Sequence, residues 1–175
     1  MLIDERAWTV MGPEERVEAV VGMLVDRRAR SASTAIGLGR GEVEEIVRDQ
    51  PAAVGGGYRR FLELVGGGVG LFLEGSDVFH PHVLGLRQAA DELLVENGIP
   101  VALAPADRVI LMHQGYCFDF LRGTGPDPEV WTYTEVHQYP VTPFRSAPTF
   151  TDWLRTNAEE HLGFEAAAHR RDRRS

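Results

Sequence analysis

Tyr58-Arg59-Arg60-Phe61-Leu62-Glu63-Leu64-Val65, followed at once by Gly66-Gly67-Gly68, is the stretch from which the fold can be read. Tyr58, Phe61, Leu62 and Val65 recur at three- and four-residue steps, so they share one face of a helix. Glycine, which takes the left-handed conformation without strain, stops that helix. Upstream, residues 42–49 predict a shorter helix with Val43, Ile46 and Val47 inward, ended before Pro51. Downstream, residues 69–73 and 78–84 read as strands with Gly75-Ser76-Asp77 as their turn. Residues 86–96 read as a helix with Leu86, Ala89, Ala90, Leu93 and Leu94 apolar, stopped by Asn97-Gly98. Short strands are expected over 99–103, 108–112, 116–121, 130–135 and 137–142, with His113-Gln114-Gly115 as a turn and 123–128 as a breaker-rich loop. Thr149 or Thr151 caps a closing helix whose inner face is Phe150, Trp153, Leu154 and Asn157.

Before this run, Pro13-Glu14-Glu15 marks a helix start, with proline at the first position and acids at the positive end of the dipole. Val17, Val20, Val21, Leu24 and Val25 then fall on one face, giving an N-terminal helix that packs on the rest of the chain or on a second copy. Residues 166–175, with four Arg, read as a frayed tail. The expected architecture is one α+β domain: a mainly antiparallel sheet flanked by helices, since the connections between strands are of hairpin length. The expected divisions are an N-terminal helical extension over 1–35, the domain over 36–165, and the Arg-rich tail over 166–175.

The order of these elements resembles the SMI1/KNR4 family, also called the SUKH superfamily. The resemblance rests on Tyr58/Phe61/Leu62, Gly66-Gly67-Gly68, Gly115-Tyr116-Cys117-Phe118-Asp119, Val130-Trp131-Thr132-Tyr133 and Phe150-Thr151-Asp152-Trp153-Leu154, and it spans residues 39–162. One departure is plain: where the family has a Leu-Pro step, this chain has Ala52-Ala53-Val54-Gly55-Gly56-Gly57, so a looser or reshaped helix start is expected. The resemblance implies a non-enzymatic protein, in bacteria an immunity protein that binds and neutralises a cognate toxin. It names no binding patch, because the shared residues are mostly structural.

Composition narrows the chemistry. All 18 basic residues are Arg, which removes every mechanism that needs a lysine, from the phosphate-binding loop to the Schiff base. The net charge of −8 is divided into +3 on residues 166–175 and −11 on the remainder. An acidic body attracts basic partners and repels nucleic acid. The lone Cys117 allows no intramolecular disulfide, residues 1–6 lack the features of a signal peptide, and no apolar run reaches the length of a membrane span. A cytoplasmic location is expected, with no membrane partner, and the oligomeric state is left open.

The candidate chemistry is thin. His80-Pro81-His82 with Asp77 nearby is the best metal-like group, with His113, Asp119 or His137 as the third ligand; it founds an alternative reading as a metal-dependent hydrolase using His80, His82 and Asp119. Asp119 reads more simply as a structural acceptor that ends its strand, taking a backbone hydrogen bond or one from Arg122 or Arg108, and Cys117 as a small buried apolar side chain. No nucleophile elbow is present, and Gly55-Gly56-Gly57 lacks the partners of a phosphate loop. No catalytic, metal or cofactor residue is therefore assigned. Aromatic residues flanked by acids are the kind that anchor protein interfaces, so Asp127, Glu129, Tyr133 and Glu135 form the expected contact surface. A regulatory scaffold of the same fold, binding a partner other than a toxin, is the second reading.

Overall fold

The computed structural model describes residues 3–25, 34–136 and 142–172. In chain order the elements are α1 (Glu5–Val10), α2 (Pro13–Leu24), β1 (Ala35–Ile36), α3 (Arg40–Asp49), α4 (Gly56–Val65), β2 (Gly68–Val69), β3 (Ser76–Asp77), α5 (Leu86–Glu96), β4 (Arg108–His113), β5 (Cys117–Arg122), β6 (Glu129–Thr134), β7 (Phe144–Ala147) and α6 (Phe150–Asp172). The main sheet is an antiparallel meander in the order β3-β4-β5-β6-β7, and β1 pairs with β2 in a separate two-stranded ribbon. This is a single-domain α+β fold.

Local chemistry starts each helix. Asp4 caps α1 by accepting the amides of Arg6 (2.7 Å) and Ala7 (3.2 Å). Proline opens α2, and the Glu15 carboxylate accepts the Gly12 amide at 2.8 Å; Glu42 does the same for Gly39 at the start of α3. The Thr149 hydroxyl accepts the Asp152 amide at 3.1 Å and so caps α6.

The helix faces read from the sequence meet in one core. Val17 and Val20 of α2, Tyr58, Phe61, Leu62 and Val65 of α4, and Phe150 and Leu154 of α6 are all at most 1% exposed. The α2 helix packs on α4 and α6 of its own chain. Trp8 of α1 is fastened to α6 by its indole N–H, which donates to Asp152 at 3.0 Å, and its ring is met by the guanidinium groups of Arg16 and Arg155, each at 5.1 Å.

Within the meander, register sets Phe118 opposite Tyr133 and Phe120 opposite Trp131 on one face, and Asp119 opposite Thr132 on the other. The closing helix α6 covers the Asp119 face, because Trp153 reaches that carboxylate.

Several expectations are corrected. Residues 78–84 form turns instead of a strand, since Pro81 has no amide to give a ladder; β3 is only Ser76–Asp77, which the sequence reading made a turn. Residues 99–103 are irregular, held by Arg87, whose guanidinium donates to the carbonyls of Leu103 (2.9 Å), Ala104 (3.1 Å) and Asp107 (2.9 Å). The strand expected over 137–142 lies, apart from Thr142, outside the described residues. The frayed tail is instead helix through Asp172, as the strong helix formers Ala166-Ala167-Ala168 allow.

The glycine step before α4 is not loose. The Gly57 amide donates to the Pro126 carbonyl at 3.0 Å, and a Cβ on Gly55 would sit 2.6 Å from the Gly125 carbonyl oxygen. Glycine is there because the backbone of the loop between β5 and β6 lies against it. In the second triplet the positive φ falls at Gly68 (+125°), while Gly66, the residue that ends α4, stays right-handed.

Candidate functional site

The four expected contact residues do not form one surface. Asp127 is a structural acceptor at the start of α6, taking the Thr151 amide at 3.0 Å and its hydroxyl at 2.6 Å, with Arg16 3.7 Å away. Glu129 accepts from the Trp131 indole at 3.1 Å and pairs with Arg145 at 3.3 Å. Tyr133 is 2% exposed and its ring lies against Phe118, with centroids 5.4 Å apart; it fills core and cannot serve as a surface anchor. Glu135 alone is exposed at a rim, where it accepts the Asn97 side-chain amide at 2.6 Å. Asn97 follows α5, so the end of β6 is stitched to the end of α5.

The residues of the hydrolase reading are scattered among structural tasks. His80 lies 3.2 Å from Glu45, and His113 shares a hydrogen bond with Ser76 across the β3–β4 pair at 2.9 Å. Asp119 is committed to the fold, accepting from Trp153 Nε1 at 2.9 Å and from the Thr132 hydroxyl, which also meets Ser146. Burial pushes the Asp119 carboxyl above the usual carboxylate range, and the hydrogen bonds from Thr132 and Trp153 oppose that shift without cancelling it. Among the described residues, no three His, Cys, Asp or Glu side chains are gathered as a metal would need. His137 lies outside them.

Asp119 receives neither of the arginines expected for it. Arg122 instead forms a forked pair with Asp107 (3.0 and 2.8 Å) and stacks over Trp131, 4.3 Å from the ring. Arg108, 1% exposed, donates to the carbonyls of Ile46, Val47, Gln50 and Ala52 and so closes the end of α3. Cys117 is partly buried; burial, then the Asp119 charge, raise its thiol to about 11, against the pull of the Thr134 hydroxyl. That thiol is a poor nucleophile at neutral pH.

With these groups committed to the fold, the feature the sequence reading missed is a groove along α5. It runs between α5 and residues 99–103, with a volume of about 510 Å³; Leu94, Val95, Ile99, Val101 and Ala102 contribute its apolar lining and the paired Arg87 and Asp91 its charged lining. Val95 is 79% exposed and Val101 36%. The signal was in the sequence: Val95 breaks the inward face of α5, and 99–103 is apolar yet bracketed by Pro100 and Pro105.

Among the described residues, no helix is long and apolar enough to cross a membrane. No protein-family model matches this chain, and no curated protein matches it.

Proposed function

We propose that this chain is a non-enzymatic protein-binding module, an immunity protein of the SMI1/KNR4 type that captures a cognate toxin in the cytoplasm. The observation that carries the reading is how the motif residues behave in space. Tyr58, Phe61, Phe150 and Trp153, separated by up to 95 positions in the sequence, form one aromatic chain. Tyr58 and Phe61 each meet Phe150 edge-on at 5.4 and 5.8 Å, and Phe150 stacks on Trp153 at 5.7 Å. Shared residues that build a core are what the resemblance implies, leaving the surface to choose the partner.

The acidic body favours a basic target, such as a nuclease that itself binds phosphate. Electrostatic steering then speeds capture and weakens as salt rises. The test is affinity capture with the tagged protein from its host, joined to deletion of its gene. One stoichiometric partner with a toxin-like domain, and toxicity on deletion, is the expected result. A non-toxic partner and harmless deletion would move the chain to the regulatory-scaffold reading. Capture of nothing would overturn the binding reading itself.

A further inference from the structure

We infer that the groove between α5 and residues 99–103 is the docking surface, and that its occupant is a basic segment of a partner protein which inserts an aliphatic side chain. This deepens the protein-binding reading and rests on it.

Three observations meet at this place. The first is apolar surface left in water. Val95 and Val101 stand on either side of the groove above the buried Leu94 and Leu103 (3% and 5% exposed). Other large exposed apolar residues, such as Val10, Leu71 and Phe164, lie on separate elements and line none of this groove. Contiguous exposed apolar surface marks recognition, whereas single residues do not.

The second is backbone without partners. Ile99 donates to Leu94 at 2.9 Å and Pro100 has no amide, but among the described residues the amides of Val101 and Ala102 find no acceptor. Both residues are exposed, so water satisfies them now. An incoming main chain offers carbonyls in place of that water, the same exchange that adds a strand to an open edge.

The third is charge. Glu92 lies one turn before Val95 on α5, Glu96 follows it, and Glu135 is tied to the end of α5 through Asn97, while Asp91 is already paired with Arg87. The nearby cations are already engaged: Arg87 by Asp91 and three carbonyls, Arg122 by Asp107. The rim is therefore negative around an apolar floor. A segment with Arg or Lys on either side of Leu, Ile or Val matches it, and an acidic segment, a nucleic acid or an anionic lipid surface is repelled. By contrast, the acids of the α2–α4 face, Glu18, Glu44 and Glu63, already hold Arg59 and Arg60.

The experiment uses the whole ¹⁵N-labelled protein and two synthetic pentapeptides, Arg-Leu-Arg-Leu-Arg and Glu-Leu-Glu-Leu-Glu, each with blocked termini. The basic peptide is expected to shift the amides of Val95, Ile99, Val101, Ala102 and Glu135, and the acidic one to leave them in place. Glu96→Arg combined with Glu135→Arg, both exposed positions, is expected to weaken the basic peptide by about tenfold or more. Shifts centred elsewhere, equal response to both peptides, or no response would overturn the assignment. So would concentration-dependent shifts of the groove amides in the free protein, which mean that a second copy occupies it. If the groove fails in this way while host capture still yields one stoichiometric partner, only the docking site is wrong. If capture also yields nothing, the binding reading falls with it.

Discussion

The indole N–H of Trp153 donates to Asp119 Oδ2 at 2.9 Å, so the middle strand of the sheet and the closing helix are joined through a buried carboxylate. The Thr132 hydroxyl donates to the other oxygen from the neighbouring strand. Replacing Asp119 by Ala leaves the Trp153 indole without its acceptor, while the Thr132 hydroxyl keeps Ser146, and should cost about 1–3 kcal/mol. Asp119→Asn can still accept from Trp153 while donating to Thr132, and should cost less. The pH dependence separates the two effects. The folded carboxyl is raised above its unfolded value, so the fold holds the proton more tightly than the unfolded chain does. Stability from this group is present below the unfolded value, near 3.8, and falls as pH rises through the raised folded value. The Asn variant lacks that slope, so it should gain on the wild type between pH 4 and pH 7 in urea titrations. Parallel curves for the two proteins would show that Asp119 ionises in the fold as it does in water.

Trp8 makes a different attachment, fastening a short helix to α6 with two guanidinium groups against its ring. Its ring is 4% exposed, and Glu5 on the same short helix also pairs with Arg155. Trp8→Ala should destabilise the protein by about 3–5 kcal/mol, the range for removing a buried large aromatic. Trp8→Phe keeps ring packing but loses the hydrogen bond to Asp152, for a cost of about 1 kcal/mol. Thermal and urea unfolding read both. If Trp8→Ala unfolds like the wild type, then α1 is an appendage, contributing nothing to the core beneath it.

How much of this was legible follows from the range of each determinant. The helix read over 86–96 coincides with α5, because apolar spacing and the Asn97-Gly98 stop are local signals. The meander over β4, β5 and β6 was legible for the same reason. The strand read over 78–84 is broken by Pro81, a local signal, whereas what decides the free edge of β4 and the course of 99–103 is remote. Gln50 occupies the edge of β4 like a strand, its side-chain amide donating to the Val109 carbonyl at 2.8 Å and accepting the Val109 amide at 2.9 Å. Arg87 holds 103–107 from another element. Neither link has a sequence pattern. At the candidate site, the acids around β6 were visible as composition, but only the fold shows that Asp127 and Glu129 are used internally while Glu135 is exposed and tied to the end of α5 through Asn97.

Arg108 carries a cost as large as that of Trp8. Its guanidinium answers four carbonyls at the end of α3, and burial pulls its basicity down, partly offset by Tyr58 and Asp49. Arg108→Met fits the volume but leaves those carbonyls unmatched, and about 3–5 kcal/mol should be lost. Arg108→Lys restores a charge with fewer, differently directed donors, so it should recover only part of that loss. A loss below about 1 kcal/mol for Arg108→Met would mean that water serves the carbonyls as well as the guanidinium does.

Cys117 tests the same neighbourhood as Asp119 by a separate signal. Its thiol is raised to about 11, chiefly by burial and then by the Asp119 charge. At pH 8 its reaction with a disulfide reagent should run on the order of 100-fold slower than that of free cysteine, whose thiol titrates near 8.5. Because burial is the first cause, Asp119→Asn should quicken the reaction without restoring the rate of a free thiol. Unfolding in urea should restore it fully. A wild-type rate equal to that of free cysteine would contradict the burial. An unchanged rate in Asp119→Asn would mean that Asp119 is still protonated at pH 8, and in the urea titrations the wild type must then go on losing stability relative to that variant into alkaline pH.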